Sequence, residues 1–203
     1  FAVMSTKGVV ITHNDTLINS YYHSTCGGRT ASIQNVWPKA SKTPYLVTAP
    51  DLRPDGSPWC SQSKFVNWNT HWKRSEIIKN ANRYLKKTNS NFKPFNKLHR
   101  LEIKGWSHSG RIKKLLLNTN TGNYTISSDK SRWVLKRPGS QSILMSSRFT
   151  LQKTPTGYRA TGKGFGHGIG FCQMGAMSRS DAGESFEHII KAYYTGTELV
   201  ELE

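Results

Sequence analysis

Apolar and β-branched residues over 8–12, a polar turn at His13, Asn14 and Asp15, and a second run over 16–22 predict an antiparallel hairpin. Its second strand carries Tyr22, His23 and Ser24 to the far end, followed at once by Cys26, Gly27 and Gly28. Paired glycines there permit positive φ and close approach by another group. Residues 38–69 lack periodicity and contain Pro38, Pro44, Pro50, Pro54 and Pro58. They read as an ordered loop region pinned by Trp37, Tyr45, Trp59, Phe65 and Trp68. A helix follows over 75–87, with Ser75 as N-cap and Ile77, Ile78, Ala81, Tyr84 and Leu85 on one face. Lys79, Arg83, Lys86 and Lys87 form its solvated side.

Strands are predicted over 100–104, 111–117, 124–127 and 149–152, with the turn-forming residues 118–123 closing a hairpin. Trp106, Trp133, Leu135 and Phe149 are expected in its core. Two amphipathic helices close the chain. One spans 172–179 and stops near Gly183; the other spans 185–194, with Ser185 as N-cap, a stripe of Phe186, Ile189, Ile190 and Tyr193, and a stop at Gly196. The pattern as a whole predicts an α+β fold, a β-rich single domain over residues 1–203 with hairpins and about three helices.

A chain of 203 residues buries a proper core, and no apolar run approaches the ~18 residues of a membrane span. Charge adds what the hydrophobic pattern does not show. Twenty-nine lysines and arginines against 12 acids give a net charge of +17, spread along the sequence. That points to a polyanionic environment: nucleic acid, anionic cell-wall polymer or an acidic membrane surface. The first residue is Phe1, inside a strand-like run, so residues upstream are expected to have been removed or omitted.

Candidate chemistry gathers at residues 163–173, KGFGHGIGFCQ, where Gly164, Gly166, Gly168 and Gly170 alternate around His167. His23 in YHSTCGG and His167 in GFGHGIG are both flanked by glycine at or near a strand end, positions that reach a surface groove. His13, His71, His99, His108 and His188 have no such setting and read as surface or core residues. The glycine run lacks G-x-G-x-x-G at a strand-to-helix turn and a closing Gly-Lys-Ser/Thr, so phosphate cradling is disfavoured. A backbone nest for a sugar or carboxylate oxygen is physically easier.

Cys26, Cys60 and Cys172 leave three readings open: a Cys26–Cys60 disulfide, a zinc set of His23, Cys26, Cys60 and Cys172, or unlinked buried thiols. Cys172 lies near His167 in sequence, but no third group orients the pair as a nucleophile and base. Glu184 and Glu187 open the last helix, as its dipole favours, and Asp51, Asp55 and Asp181 fall in loops. No carboxylate has a setting that marks it as a general acid.

The order AVMSTKG, YHSTCGGRT, VWP, PYL, WCSQSKFVNW, SGRI, SSRFTL and finally GKGFGHGIGFCQMGAMSRSDAGESFEHIIKAYYTGTEL resembles the SpoIID/LytB family of bacterial cell-wall proteins, from Ala2 to about Leu199. The resemblance implies a lytic transglycosylase. Such an enzyme cleaves peptide-stripped glycan between N-acetylmuramic acid and N-acetylglucosamine, leaving a 1,6-anhydro sugar. One general acid/base suffices for this, because the muramoyl 6-hydroxyl takes the place of water. The family's glutamate lies on a helix upstream of AVxxTxG, so the acid is expected upstream of Phe1. A zinc site, where the family has one, also draws ligands from upstream, so the resemblance implies none here; no cofactor is expected, with zinc at the set above as the alternative.

The matching positions, His23, Ser24, Gly27 and Gly28 with Gly166, His167, Gly168 and Gln173, are expected to line one substrate groove. Trp37, Tyr45 and Trp68 are expected to offer flat faces to sugar rings, and Gln173 has a helix cap or core hydrogen bond as its alternative. The implied setting is exported, in the periplasm or at the cell wall, with glycan strands and other wall hydrolases as partners. The rival readings are a non-catalytic wall-binding protein or amidase enhancer, and a basic nucleic-acid binder. The last is disfavoured because aromatic and basic residues are not interleaved in any recognised motif.

Overall fold

The computed structural model describes residue 4 and residues 6–202. The start of the AVMSTKG motif therefore lies largely outside the described residues. Strand β1 (Val9–His13) turns through Asn14 and Asp15, at φ 49° and 58°, into β2 (Thr16–Leu17). Two successive left-handed residues match the twist of a two-residue hairpin. The predicted second strand stops early. After Leu17 the chain leaves the hairpin, and Tyr22–His23 (β3) pairs elsewhere.

Two three-stranded antiparallel sheets carry most of the remaining β structure. One orders β5 (Leu98–Ile103), β6 (Lys114–Thr119) and β7 (Gly122–Ser127). The other orders β4 (Trp68–Lys73), β9 (Gly157–Gly162) and β8 (Phe149–Lys153). Strand β4 begins inside the expected loop region, and β9 falls where no element was predicted. They pair over their full length, from Trp68 opposite Gly162 to Lys73 opposite Gly157. A side chain at Gly162 would overlap the Trp68 indole, so the glycine lets the ring lie flat on β9.

Among the described residues there are five helices: α1 (Ile33–Val36), α2 (Arg74–Thr88), α3 (Ser131–Val134), α4 (Gln173–Asp181) and α5 (Phe186–Tyr193). The three longer ones are those that the periodicity predicts, and the two single-turn helices are additions. The fold class is α+β. No described helix is long and apolar enough to cross a membrane.

Helix α2 starts at Arg74 because the Lys73 N–H donates to the Glu76 carboxylate at 2.8 Å, so Ser75 is inside the helix and not its cap. Glu76 in the first turn and Lys86 and Lys87 in the last complement the helix dipole. Ile77, Ala81 and Leu85 bury against Trp72, Leu101, Leu115, Leu117 and Phe149 in the largest core. Fully burying Ile77 or Leu85 contributes about 1.5–3 kcal/mol each. Two expected core residues are elsewhere: Trp106 is 48% exposed and Phe186 is 46% exposed.

A second core joins Ala31, Ile33, Val36, Tyr45, Leu46, Ile169 and Tyr194, and a third joins the three cysteines to Ala176, Ile189 and Tyr193. The chain ends meet as well, since β11 (Glu198–Glu201) lies antiparallel to β1.

Candidate saccharide groove and thiol cluster

The two glycine-flanked histidine motifs run side by side. Strand β10 (Phe171–Cys172) is parallel to β3, with Phe171 opposite Tyr22 and Cys172 opposite His23. Thr25 and Phe165 exchange backbone hydrogen bonds of 3.0 and 2.8 Å, and the Ala31 N–H donates to the Gly168 carbonyl at 2.8 Å. Such stitching holds the histidines together: the His23 and His167 ring centroids are 5.7 Å apart. Tyr21 lies at 6.3 Å and Trp37 at 5.4 Å from His167, so three rings box the imidazole.

All four glycines of the run adopt positive φ. Two of them have close neighbours that account for the missing side chain. A Cβ on Gly166 would sit 2.9 Å from the His23 Cβ, and one on Gly168 would land on the Arg111 guanidinium. The bare backbone thus serves a tight internal fit as well as access to His167.

Hydrogen bonds set the tautomers. His23 Nδ1 lies 3.1 Å from the Ile169 carbonyl, so it carries the proton and Nε2 is a bare lone pair, buried without a partner among the described residues. His167 Nδ1 accepts from the Ile169 N–H at 3.1 Å, which puts its proton on Nε2. Burial first, then the charge of Arg111, pulls the His23 pKa down to about 3 and the His167 pKa down to about 4. Both imidazoles are therefore neutral well into the acid range, each keeping one donor and one acceptor.

Arg111 was not singled out from the sequence, where it read as part of a strand. It is completely buried, and Nε, Nη1 and Nη2 have no hydrogen-bond partner among the described residues. Burial lowers its pKa to about 10; Asp129 works against that shift, while Arg148 and Arg132 add to it. The group stays charged at neutral pH, directly beneath the histidine pair. Only the three-dimensional burial reveals it.

The groove itself runs past His167. One hollow of about 480 Å³ is lined by Asn19, Ser20, Tyr21, Tyr22 and His167. A second, of about 300 Å³, is lined by Ser20, Tyr22, Phe171, Gln173 and Tyr194 among others. Ser20 and Tyr22 belong to both, and Tyr22 is 63% exposed. The structure thus brings His167 and Gln173 onto one surface, with the exposed Gln173 opening α4.

Other expected members lie behind that surface. His23 is buried, and Ser24 is half-buried with its hydroxyl 3.2 Å from that of Thr25. Gly27 and Gly28 are buried against Lys163, Gly164, Leu52 and Pro58. Tyr45 and Trp68 are core residues and offer no flat face; the Trp68 indole N–H donates to the Gly164 carbonyl at 3.0 Å. Trp37 leans on His167 from within.

Under the motifs, the three cysteines meet. All are buried and free, and the Cys26 and Cys60 sulfurs are 3.6 Å apart, well beyond a disulfide bond. Of the three readings left open, the Cys26–Cys60 disulfide is therefore not formed. The Cys26 N–H donates to the Cys172 sulfur at 3.2 Å, and the Gly28 N–H donates to the Cys26 sulfur at 3.2 Å. Hydrogen bonds from Cys172, Cys26, Gly27 and Gly28 hold the Cys60 thiol well below its usual range. Hydrogen bonds with Cys172 and Cys60, and then burial, push the Cys26 thiol up. His23, Cys26 and Cys172 present ligand atoms that all lie within 4.8 Å of one another.

Asp51, expected to be an ordinary loop residue, anchors this cluster. It accepts from Arg179 Nη2 at 3.1 Å, from the Tyr193 hydroxyl at 3.1 and 3.2 Å, and from the Cys26 thiol at 3.1 Å. Burial raises its pKa, and these donors oppose the shift. A carboxylate so saturated has no free lone pair facing a groove. It is structural.

The family described as domain of unknown function (DUF8618) matches residues 57–170, a span that runs from the loop before β4 to the end of the glycine run. Along nearly the whole chain there are curated relatives. The amidase enhancer of Bacillus subtilis (strain 168) is 30% identical over 98% of this chain and 32% of its own length. The stage II sporulation protein D of the same organism is 26% identical over 100% of this chain and 51% of its own length. Its counterpart in Bacillus amyloliquefaciens is 25% identical over the same shares. The chain thus spans about a third to a half of the relatives it matches. With more than half of its residues matched, the chain belongs to the DUF8618 family, and its end-to-end likeness to both kinds of relative makes it SpoIID-like.

Proposed function

We propose that this chain is the glycan-holding part of an exported cell-wall protein that acts on peptidoglycan as a lytic transglycosylase. The observation that carries the reading is the groove that joins His167 to Gln173 through the half-open Tyr22 ring. A sugar has one apolar face and a rim of hydroxyls. Tyr22 offers a surface for the first; the His167 Nε2–H and the Gln173 amide offer donors and an acceptor for the second. Because His167 stays neutral, that hydrogen-bonding pattern persists at the low pH of an acidic wall. The net charge of +17 draws the chain to an anionic polymer.

The general acid that protonates the glycosidic oxygen is, on this reading, the glutamate that the family resemblance implies, carried by a segment of the longer protein. Muramoyl O6 then attacks C1 as the leaving oxygen takes the proton, which closes the 1,6-anhydro ring. The test is digestion of purified peptide-free strands by the full-length protein. Anhydro-muramoyl ends are expected, and their absence sinks the transglycosylase reading. His167→Ala, which removes about one neutral hydrogen bond, is expected to weaken strand binding about 3–10-fold. Unchanged binding and turnover would reduce the glycine run to a structural turn.

The 30% identity to an amidase enhancer favours a second reading, in which the chain holds glycan without cleaving it and assists a wall amidase as partner. It predicts no anhydro ends but faster wall digestion when an amidase is added. Tight, salt-sensitive binding to duplex DNA with no glycan binding would instead restore the nucleic-acid reading.

With His23 Nε2 bare and a ring nitrogen of His23 within 4.8 Å of the Cys26 and Cys172 sulfurs, this cluster favours a bound metal. On this proposal His23, Cys26 and Cys172 hold a zinc ion, a cation suited to mixed nitrogen and sulfur donors, with Cys60 next to Cys26. The Ile169 carbonyl would fix the His23 tautomer, as outer-shell carbonyls do at metal sites. Zinc there ties β3 to β10 and needs no part in bond cleavage. At a free concentration a hundredfold above Kd it stabilises by about 2.7 kcal/mol, or about 5–10 °C in Tm. Elemental analysis of freshly purified protein and melting with and without a chelator check this. Metal-free protein whose Tm ignores both zinc and chelator would refute it.

A further inference from the structure

We propose that the face around Trp106 is a second saccharide subsite, which holds a peptide-free, anionic glycan strand away from the His167 groove; this rests on the peptidoglycan reading above. Trp106 was expected in the core, and its exposure has a structural cause. The indole N–H donates to the Phe149 carbonyl at 3.1 Å, and the Trp106 backbone bridges to Ile112. The ring edge is tied down and the ring cannot fold inward, so it remains 48% exposed. A fixed, half-open indole suits stacking against a pyranose face, because little side-chain freedom is left to lose on binding.

Two hollows share the ring in their lining. One, of about 510 Å³, is lined by Trp106, Arg148, Thr150, Thr161 and Lys163 among others. The other, of about 350 Å³, is lined by Trp106, Arg100, Glu102, Thr150 and Lys153 among others. Trp106 and Thr150 are common to both, so the two form one trough with the indole in its wall. Its lining joins apolar surface to threonine hydroxyls and basic groups.

The charge selects an anion. Arg148 and Lys163 flank one half, and Arg100 and Lys153 flank the other. Glu102, the acid in the lining, is already paired with Arg100 and Lys104 at 3.0 Å each. A glycan strand stripped of its peptides bears a free lactyl carboxylate on every muramic acid, the repeat of negative charge that this lining can meet. A nucleic-acid strand would call for several exposed stacking rings in series, whereas of the rings in this lining Trp106 is exposed and Phe149 and Tyr158 are buried.

The trough is also continuous with the first motif. Arg148 Nη1 donates to the Gly27 carbonyl at 2.8 Å, and Lys163 packs against Gly27. A strand lying on Trp106 is thus held by residues that also brace the YHSTCGG turn.

The test compares the full-length protein with Trp106→Ala and with Lys153→Gln/Lys163→Gln, after thermal melts confirm that each folds. Long peptide-free strands, a muramoyl tetrasaccharide, neutral chito-oligosaccharides and duplex DNA are titrated by calorimetry. Trp106→Ala is expected to weaken long-strand binding about tenfold while leaving the tetrasaccharide unchanged. The lysine pair should weaken muramoyl strands more than chito-oligosaccharides. Long-strand affinity that survives in both variants overturns the proposal while leaving the groove reading intact. Equal loss of long and short ligands overturns the claim of a second subsite, and a preference for DNA replaces the ligand. If the unaltered protein binds no glycan at all, both readings fall together.

Discussion

Asp51→Ala is expected to cost about 3–5 kcal/mol of stability, because it leaves a buried charge without its partner. The Asp51 side chain is only 2% exposed and that of Arg179 only 12%, with 3.1 Å between them. Glu184 also reaches Arg179, at 3.1 Å, but it cannot replace the contacts to Tyr193 and the Cys26 thiol. Through these contacts one carboxylate ties the loop before β4 to α4, to α5 and to the first histidine motif. Asp51→Asn keeps the shape and two lone pairs but loses the charge, so it should fall between alanine and the unaltered chain. Urea unfolding of the three proteins measures this. An alanine variant within about 0.5 kcal/mol of the parent would show that the cluster is incidental.

Gly168→Ala is expected to lose about 3 kcal/mol or more, through two separable terms. At φ +85° an L side chain is strained by about 1–2 kcal/mol, and its Cβ would also fall on the Arg111 guanidinium, with Nε at 2.7 Å. Gly139 supplies the control: its φ is +67° with nothing within 4 Å, so Gly139→Ala carries the first term alone. Replacing Arg111 by methionine in the Gly168→Ala background should recover part of the difference, since an unbranched chain yields where a planar guanidinium does not. Thermal melts of the four proteins decide it. If Gly168→Ala and Gly139→Ala melt alike, the close approach to Arg111 contributes nothing.

Local periodicity made α2 and α5 legible, because Ile77, Ala81 and Leu85, and likewise Ile189 and Tyr193, recur at helical spacing and are buried. The β6–β7 hairpin was equally plain. Strands β4 and β9 were missed for a physical reason. Trp68 and Trp72 point inward from a strand whose partner is almost ninety residues away, and Gly157 and Gly162 bound β9 with the residues that usually signal loops. The second predicted strand broke at Leu17 because Tyr22 and His23 pair in parallel with β10, a pairing for which local sequence has no marker.

The candidate site divides in the same way. Glycine spacing drew attention to His23 and His167, and the resemblance tied them to Gln173. Arg111 and Asp51 went unnoticed, since what distinguishes them is burial of charge. Trp106 looked like core material, because an exposed indole is unusual and nothing in its neighbourhood predicts the bond to Phe149. In place of Trp37, Tyr45 and Trp68 as the groove-side ring stands Tyr22, which the sequence presented as a mere neighbour of His23.

The two-residue pairing of β3 with β10 bears on when the protein can work, as well as on where. His23 and the Ile169 carbonyl that fixes its tautomer are 146 residues apart, and β1 waits for β11. Closing so long a loop is entropically costly and slow compared with forming α2 or the β6–β7 hairpin. The β5–β6–β7 sheet can therefore assemble from near neighbours, whereas the pairing of β3 with β10 must wait for residues 169–172. A chain cut before residue 169 would keep a folded middle but lack the paired motifs that bring Tyr22 beside His167.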